Sequence, residues 1–260
     1  MTISSARMPR ILSIAGSDSG GGAGIQADIK TATALGAYAM TAITAVTAQD
    51  TTGVHAVRLM PPELVRAQIM ACLEDIGADA IKTGMLGSAE IVDVVSETLS
   101  KHAKGIPLVV DPVMASTSGT EFLDERALDL LKRKLIPLAT LVTPNDIEVR
   151  KLSLPVPGVS FLVKGGHRED VRGVVDGLIG ADGSYREFIA PRVATTNTHG
   201  TGCSLAMAIA CGLGRGMTLA EAVAQATAFV HEAIKAAPGF GRGKGPLNHM
   251  HGRMYRRDAN

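Results

Sequence analysis

Residues 196–203 read Thr-Asn-Thr-His-Gly-Thr-Gly-Cys, and a small, apolar run, Ser-Leu-Ala-Met-Ala-Ile-Ala-Cys, follows at residues 204–211. Two glycines flank Thr201 and no further glycine comes before Gly212, which predicts a tight loop that opens a buried helix. The first N–H groups of a helix lack intrahelical partners and carry partial positive charge, and glycines let a ligand approach them closely. The stretch therefore predicts either an anion site or a helix that begins with glycines for packing alone. The candidate anion-site residues are Gly200, Thr201, Gly202 and Cys203.

The composition and charge are those of a globular protein with a large core. The 260 residues are 46% hydrophobic and carry a formal net charge of +1, which does not favour a polyanionic partner. Aromatic residues make up 3% of the chain, too few to predict the stacking surfaces that bind single-stranded nucleic acid. We therefore expect no nucleic-acid partner.

The cysteines and the apolar segments bear on the compartment. Cys72, Cys203 and Cys211 have neither a paired disulfide pattern nor a zinc-ligand spacing, which fits a reducing environment. The first ten residues are polar, unlike a secretory signal, and the sequence has no apolar window long enough to cross a membrane. We expect a cytoplasmic protein that does not contact a membrane.

Strand-like and helix-like segments alternate along the chain. Residues 10–15, 107–110 and 161–163 include short apolar runs, and helical segments intervene, which is typical of an α/β fold with a mostly parallel sheet covered on both faces. Further predictions are a β-hairpin around Asp182-Gly183 and a helix capping box from Thr218 to Glu221. Because neither a repeat nor a linker is present, the sequence predicts one domain over residues 1–260. Its tails would be residues 1–9 and 251–260.

Several polar or flexible residues stand at the ends of predicted strands. In open parallel sheets, ligands bind beyond the carboxyl ends of the strands, so these residues predict one shared cleft. They are Gly16, Gln49, Met85, Asp111, Asn145 and Lys164.

Asp111, Glu148 and Lys164 have the chemistry of a phosphate and metal site. Two carboxylates that follow different strands are suited to bind a magnesium ion that is also bound to ATP phosphates. For each carboxylate, the alternative is a helix cap or an ordinary surface position. A lysine at a strand end before two glycines can reach phosphate oxygens, or it can be a surface lysine. The chain has no Gly-x-x-x-x-Gly-Lys-Ser/Thr string, so it is not a P-loop nucleotidase.

Cys203 stands where the helix is predicted to begin, a position that tends to lower the pKa of a thiol. We therefore expect a lowered pKa for Cys203. His167 and His199 are expected to be turn or loop residues rather than catalysts, and Met85 is as consistent with a core position as with a ligand wall.

Taken in order, the motifs resemble those of the hydroxymethylpyrimidine kinase / phosphomethylpyrimidine kinase family of thiamine biosynthesis, within the ribokinase-like superfamily. The resemblance runs from about Ile11 to His249. It rests on Gly-Gly-Ala-Gly-Ile-Gln-Ala-Asp28, Thr-Ala-Gln49, Lys-Thr-Gly-Met-Leu86, Asp111-Pro-Val-Met, Thr-Pro-Asn-x-x-Glu148, Val-Lys-Gly-Gly-His167, Asn-Thr-His-Gly-Thr-Gly-Cys203 and Gly-Pro-Leu-Asn-His249.

The resemblance implies a three-layer α/β/α sandwich and a homodimer. It also implies phosphorylation of 4-amino-5-hydroxymethyl-2-methylpyrimidine and then of its monophosphate, with ATP and Mg²⁺. The implied site residues are Gly16, Asp28, Gln49 and Met85 for the pyrimidine; Gly200, Thr201, Gly202, Cys203 and Lys164 for catalysis; Asn145, Lys164 and Thr196 for ATP; and Asp111 and Glu148 for the metal.

Two alternatives and one departure accompany the resemblance. Pyridoxal kinases of the superfamily also carry a cysteine in the anion site, and a non-catalytic ligand-binding protein on the same fold is a second alternative. The departure is the connection at residues 146–160, where relatives have a further long helix. Pro155 and Pro157 rule out a helix much beyond Leu152, so we expect an extended segment there.

Overall fold

The computed structural model describes residues 7–115, 119, 121–166 and 170–251. His167 and most of the two predicted tails lie outside these residues. Within the described ranges, no helix is both long enough and apolar enough to cross a membrane.

One sheet runs through the described residues, in the strand order β3-β2-β1-β4-β5-β6-β7-β8-β9. Strands β2, β1, β4, β5, β6 and β7 pair in parallel, whereas β3 and the β8–β9 hairpin are antiparallel to their neighbours. The mostly parallel sheet and the hairpin are therefore confirmed. The strands are β1 (Arg10–Asp18), β2 (Tyr38–Gln49), β3 (Val54–Leu59), β4 (Ala80–Thr83), β5 (Leu108–Val110), β6 (Leu141–Val142), β7 (Ser160–Val163), β8 (Val174–Ile179) and β9 (Tyr185–Ala190).

Helices cover both faces of the sheet. The α-helices are α1 (Gly24–Ala34), α2 (Pro62–Ala71), α3 (Ala89–His102), α4 (Glu125–Leu130), α5 (Asp146–Leu152), α6 (Thr201–Gly214) and α7 (Leu219–Lys235). Wider π-type turns continue α2 and α4 over Cys72–Ile76 and Leu131–Leu135, respectively.

Alternate residues of each strand supply two separate cores, since successive side chains of a strand point to opposite faces. In β1, Leu12 packs in a core with residues of α2, α3 and α4, whereas Ile11 packs in a second core with residues of α1, α6 and α7. Side chains cap several of the helices; Thr218, for example, forms the predicted capping box with Glu221. The three-layer α/β/α sandwich is confirmed.

The connection from α5 to β7 is as short as the prolines predict. Helix α5 ends at Leu152, Ser153 adopts a left-handed conformation with φ 51°, and β7 begins at Ser160 without a further helix. Leu154 and Val156 pack against the first core, so this segment covers part of the sheet without a helix.

Candidate active site

The candidate site lies at the carboxyl ends of the parallel strands. The strand order reverses beside β1, which pairs with β2 on one side and with β4 on the other. Such a reversal opens a crevice outside the carboxyl ends of the strands, where ligands of open α/β sheets bind. Strands β1 and β2 are longer than predicted, and their last residues, Asp18 and Gln49, stand at this edge.

Helix α6 begins at this crevice without a side-chain cap among the described residues. Gly200, which precedes its first residue, has φ 85°, and a Cβ there would lie 1.8 Å from the carbonyl oxygen of Gly22. Only glycine fits this position, since a side chain would meet both backbone strain and a steric clash. The helix start at Gly200–Cys203 therefore has a sterically restricted entry and no side-chain cap, which suits an anion site.

Asp111, Glu148 and Lys164 come together beside the start of α6. The Nζ atom of Lys164 lies 2.9 Å from Oδ1 of Asp111 and 3.8 Å from Oε2 of Glu148. A Cβ built on Gly202 would lie 3.4 Å from the same Nζ and 3.6 Å from Oδ2 of Asp111. Three residues that the sequence singles out separately are thus one cluster, supplied by β5, α5 and β7.

Neighbouring side chains hold this cluster in place. The hydroxyl of Thr143 donates to Oδ1 of Asp111 at 3.1 Å. Asn145 and Glu148 form a reciprocal capping box at the start of α5, in which Oε2 of Glu148 accepts the N–H of Asn145 at 2.7 Å. Glu148 therefore caps α5 and also lies in the cluster, so helix capping does not exclude its predicted role as a metal ligand.

The charges of the cluster suit a cation and a phosphate. Burial raises the pKa of Glu148 to about 7, and the Lys164 ammonium opposes this rise. Burial lowers the pKa of Lys164, but Asp111 and Glu148 outweigh it and raise that pKa above its usual value, so Lys164 is an ammonium. Carboxylate oxygens are the donors that Mg²⁺ prefers, so Asp111 and Glu148 fit this ion chemically.

The thiol pKa of Cys203 differs from the prediction. Burial raises the pKa of its thiol to about 11, and the nearby ammonium of Lys82 only partly offsets this rise. The expectation of a lowered pKa is wrong, because the loss of hydration outweighs the field of the helix start. Cys203 is a neutral thiol at physiological pH.

Gly16 and Met85 form one wall of the crevice. A Cβ on Gly16 would lie 2.7 Å from the sulfur of Met85, so these residues are in contact. The hydroxyl of Thr44 donates to the Met85 carbonyl at 2.7 Å, and Leu59 of β3 approaches Gly87 next to it. Strand β3 pairs with β2 of the same chain and borders this wall.

Gln49 lies beside two residues that the sequence analysis does not assign to the site. Its side-chain nitrogen is 3.4 Å from Nε2 of His199, and this ring nitrogen is 2.8 Å from Oδ2 of Asp18. Burial raises the pKa of Asp18, but hydrogen bonds from His199 and from the backbone of Ala23 and Gly20 outweigh it and lower that pKa below its usual value. Asp18 is therefore a carboxylate that joins the glycine-rich loop to the anion-site loop.

Asp28 is fully buried, and its contact with the pyrimidine stays a prediction. Its side chain is 0% exposed, and its two oxygens lie 3.0 and 2.8 Å from Nζ of Lys82, which is also 0% exposed. The hydroxyl of Ser13 donates to the same carboxylate at 2.6 Å. Burial lowers the pKa of Lys82, but Asp28 and neighbouring negative groups outweigh it and raise that pKa above its usual value. Asp28 thus neutralises an internal lysine beneath the site.

The remaining predicted ATP residues lie at two loops. Asn145 uses its side-chain oxygen to cap α5, accepting from the backbone of Ile147 and Glu148 at 2.9 and 3.0 Å. Thr196 is exposed, and its carbonyl accepts from Thr198 at 3.0 Å. Both stay predicted ATP contacts.

Two further buried polar residues, Asp176 and His249, support the site and are not among the site residues predicted from the sequence. Asp176 of β8 accepts the N–H of Gly165 at 2.8 Å and so holds the loop after Lys164. His249 lies 2.8 Å from the hydroxyl of Ser204, the residue after Cys203. The sequence signal for His249 is its place in the Gly-Pro-Leu-Asn-His motif, whereas nothing local marks Asp176.

Sheet topology, uncapped helix start and lysine–carboxylate cluster together define a small-molecule kinase of the ribokinase-like class. Residues 18–160 and 156–248 match the family model described as phosphomethylpyrimidine kinase. A hydroxymethylpyrimidine/phosphomethylpyrimidine kinase of Mycobacterium leprae is 46% identical over 92% of this chain and 93% of its own length. The chain belongs to the phosphomethylpyrimidine kinase family.

Solved structures agree with this assignment. The crystal structure of phosphomethylpyrimidine kinase from Clostridium difficile has a TM-score of 0.74 at 38% identity, over 88% of this chain and 100% of that one. An ADP complex of Bacillus subtilis pyridoxal kinase has a TM-score of 0.84 at 32% identity, over 94% of this chain and 98% of that one. The fold is therefore shared by phosphomethylpyrimidine kinase and pyridoxal kinase.

Proposed function

We propose that this chain, as a single kinase domain, transfers phosphoryl groups from ATP to 4-amino-5-hydroxymethyl-2-methylpyrimidine and then to its monophosphate. The observation that carries the proposal is the Lys164–Asp111–Glu148 cluster beside the uncapped start of α6. It supplies an ammonium, two hard oxygen donors and backbone N–H groups at one point, which is what phosphoryl transfer needs.

The pyrimidine would lie against Gly16 and Met85 and be recognised by Gln49. An aminopyrimidine presents an N–H donor beside a ring-nitrogen acceptor, and a side-chain amide offers the complementary pair. The amide of Gln49 is half-buried at the end of β2, so it can contact such a ring without leaving the strand. The hydroxymethyl group would then face the start of α6.

The protein's part in the transfer is positioning and charge stabilisation. The N–H groups at Gly200–Cys203 would stabilise negative charge on the transferred group, and Lys164 would contact the ATP phosphates. Because the transition state of phosphoryl transfer is loose, it demands little proton abstraction beforehand. A neutral Cys203 thiol with a pKa of about 11 is compatible with this chemistry.

Asp111 and Glu148 would hold Mg²⁺, which supplies charge neutralisation for the ATP phosphates when it is bound. Asn145 and Thr196 would flank the nucleotide. A homodimer and a cytoplasmic location complete the proposal. Leu59 of the edge strand β3 is apolar and 44% exposed, which supports self-association there.

A coupled assay of ADP release with Mg-ATP tests the function. We expect turnover of the hydroxymethylpyrimidine and of its monophosphate, with little turnover of pyridoxal. Lys164→Met should reduce kcat at least a hundredfold, whereas Lys235→Met, at an exposed lysine paired with Glu232, should leave it unchanged. Failure of both pyrimidines would refute the proposal.

Pyridoxal phosphorylation is the second candidate function. It is favoured by the TM-score of 0.84 with the Bacillus subtilis pyridoxal kinase. Turnover of pyridoxal alone in the same assay would identify the chain as a pyridoxal kinase. Light scattering on the purified chain would separately test the proposed homodimer.

A further inference from the structure

We propose that His199 and Asp18 are positioning residues that fix the orientation of the Gln49 side-chain amide and thereby select an aminopyrimidine over a pyridoxal-type ring. This inference rests on the proposed function, because it takes Gln49 as the residue that faces the substrate ring.

Asp18 fixes the hydrogen position on the His199 ring. The side chains are 4% and 10% exposed, respectively, and Nε2 of His199 lies 2.8 Å from Oδ2 of Asp18. The backbone N–H groups of Gly20, Gly22 and Ala23 also donate to this carboxylate, at 2.8 to 3.0 Å. A carboxylate with these partners is an acceptor only, so Nε2 of His199 must carry the hydrogen and donate it.

The His199 ring cannot move away from this position. A Cβ on Gly22 would lie 2.4 Å from Cδ2 of His199, so the ring is packed directly on the glycine-rich loop. The backbone N–H of His199 donates to the Gly245 carbonyl at 3.1 Å. The ring therefore packs on one loop, and the backbone that carries it is bonded to a second.

This hydrogen position decides which end of the Gln49 amide faces His199. With the amide nitrogen at 3.4 Å from Nε2, two donors would face each other. Rotation of the amide by 180° exchanges its oxygen and nitrogen, which removes the donor–donor contact and places an acceptor beside the N–H that His199 donates to Asp18. His199 therefore favours the orientation with the amide oxygen toward the ring.

Thr47 independently favours the same orientation. Its hydroxyl lies 3.0 Å from the Ser17 carbonyl and 3.2 Å from the other end of the Gln49 amide. A hydroxyl has one hydrogen, and the Ser17 carbonyl can only accept it, so the hydroxyl oxygen is left to accept from the amide. The nitrogen of Gln49 therefore faces Thr47, and its oxygen faces His199.

An amide fixed in this way offers the crevice one N–H donor and one oxygen lone pair in a defined order. The adjacent amino group and ring nitrogen of an aminopyrimidine match that order in a single ring orientation, as glutamine matches adenine in nucleic acids. A pyridoxal ring has a phenolic oxygen and no amino group beside a ring nitrogen, so it cannot form the same pair. His199 and Asp18 thus act on specificity through Gln49.

A double-mutant cycle on the full-length chain tests the proposal. His199→Leu removes the donor, and it should raise the KM for hydroxymethylpyrimidine about five- to tenfold while kcat and the KM for ATP change less than threefold. His199→Gln retains an N–H donor near Nε2 and should restore the KM to within threefold of the unmodified chain. The KM for pyridoxal should not rise in either variant.

The Gln49→Ala background separates positioning from a general structural effect. There, His199→Leu should have no further effect on the KM for the pyrimidine, because the group through which it acts is gone. Equal effects in both backgrounds, or a parallel loss for pyridoxal, would overturn the proposal. So would a His199→Leu chain with an unchanged pyrimidine KM and an unchanged melting temperature. If the unmodified chain turns over neither pyrimidine, the proposed function fails together with this inference; additive effects in an active enzyme refute the inference alone.

Discussion

The internal ion pair of Lys82 and Asp28 leads to a quantitative prediction about stability. Both side chains are 0% exposed, and the ammonium contacts both carboxylate oxygens within 3.0 Å. Lys82→Met fills nearly the same volume but leaves a buried carboxylate whose remaining side-chain partner is Ser13. Breaking a buried pair in this way costs about 3–5 kcal/mol, mainly because one charge is left uncompensated.

The expected change in melting temperature follows from the size of the chain. An unfolding entropy of about 2.1 cal/mol/K per residue amounts to roughly 0.55 kcal/mol/K for 260 residues. A loss of about 4 kcal/mol therefore lowers Tm by roughly 7 °C. Urea unfolding monitored by circular dichroism measures the free energy, and calorimetry measures Tm.

The double variant Lys82→Met with Asp28→Asn serves as the control. It removes both charges, so it should recover at least about 2 kcal/mol relative to the single Lys82→Met variant. A Lys82→Met chain within about 1 kcal/mol of the unmodified protein, or a double variant no better than the single one, would refute the reasoning. Either result would mean that removing Lys82 does not leave a costly uncompensated charge on Asp28.

Three further predictions concern the start of α6 and its support. Gly200→Ala should lower kcat/KM at least a hundredfold, because its Cβ would lie 1.8 Å from the Gly22 carbonyl oxygen. The control Gly216→Ala, at a glycine with φ 81° and open space around it, should leave kcat/KM unchanged. Cys203→Ala should keep kcat within about tenfold in a saturating assay, because a thiol with a pKa of about 11 is not ionised to a base at neutral pH. A loss of a hundredfold or more would instead indicate that Cys203 acts as a general base. Burial lowers the pKa of His249 to about 4, below its unfolded value near 6.5, so the unfolded chain binds the extra proton between these values. Stability should therefore fall by up to about 3 kcal/mol as pH decreases from 6.5 to 4, and urea unfolding of His249→Gln should show a correspondingly shallower dependence.

Local sequence features predict the sheet and the proximity of Asp111 and Lys164 at its carboxyl edge. The strands that end at Asp111 and Lys164 are short apolar runs, and parallel strands bring their carboxyl ends to one edge. The cluster of Lys164 with both carboxylates follows from that topology. Strand position alone was therefore enough to predict these residues, without knowledge of their distances.

The internal pairs could not be predicted in the same way. Lys82 stands in a strand 54 residues from Asp28, and His199 is 181 residues from Asp18, so each contact depends on which element lies next to which. The pKa of Cys203 escaped prediction for a different reason. The direction of its pKa shift depends on two opposing effects. The helix start lowers the pKa and is visible in the sequence, whereas burial raises the pKa and is determined only by the packed structure.

Two lysine–carboxylate pairs of the same chemistry lie on either side of the α6 start, and their exposure separates their tasks. Lys82 is sealed at 0% exposure with Asp28, so exchanging its carboxylate for a ligand would require an opening of the core. Lys164 is 17% exposed beside Asp111, and it can exchange part of that contact for a phosphate oxygen without such an opening. An ammonium can contact the transferred phosphoryl group only if it can exchange its carboxylate partner for a phosphate oxygen. A structural ion pair, in contrast, must keep its carboxylate partner. The depth of burial, rather than the residue type, therefore makes Lys164 and not Lys82 the proposed contact of the nucleotide.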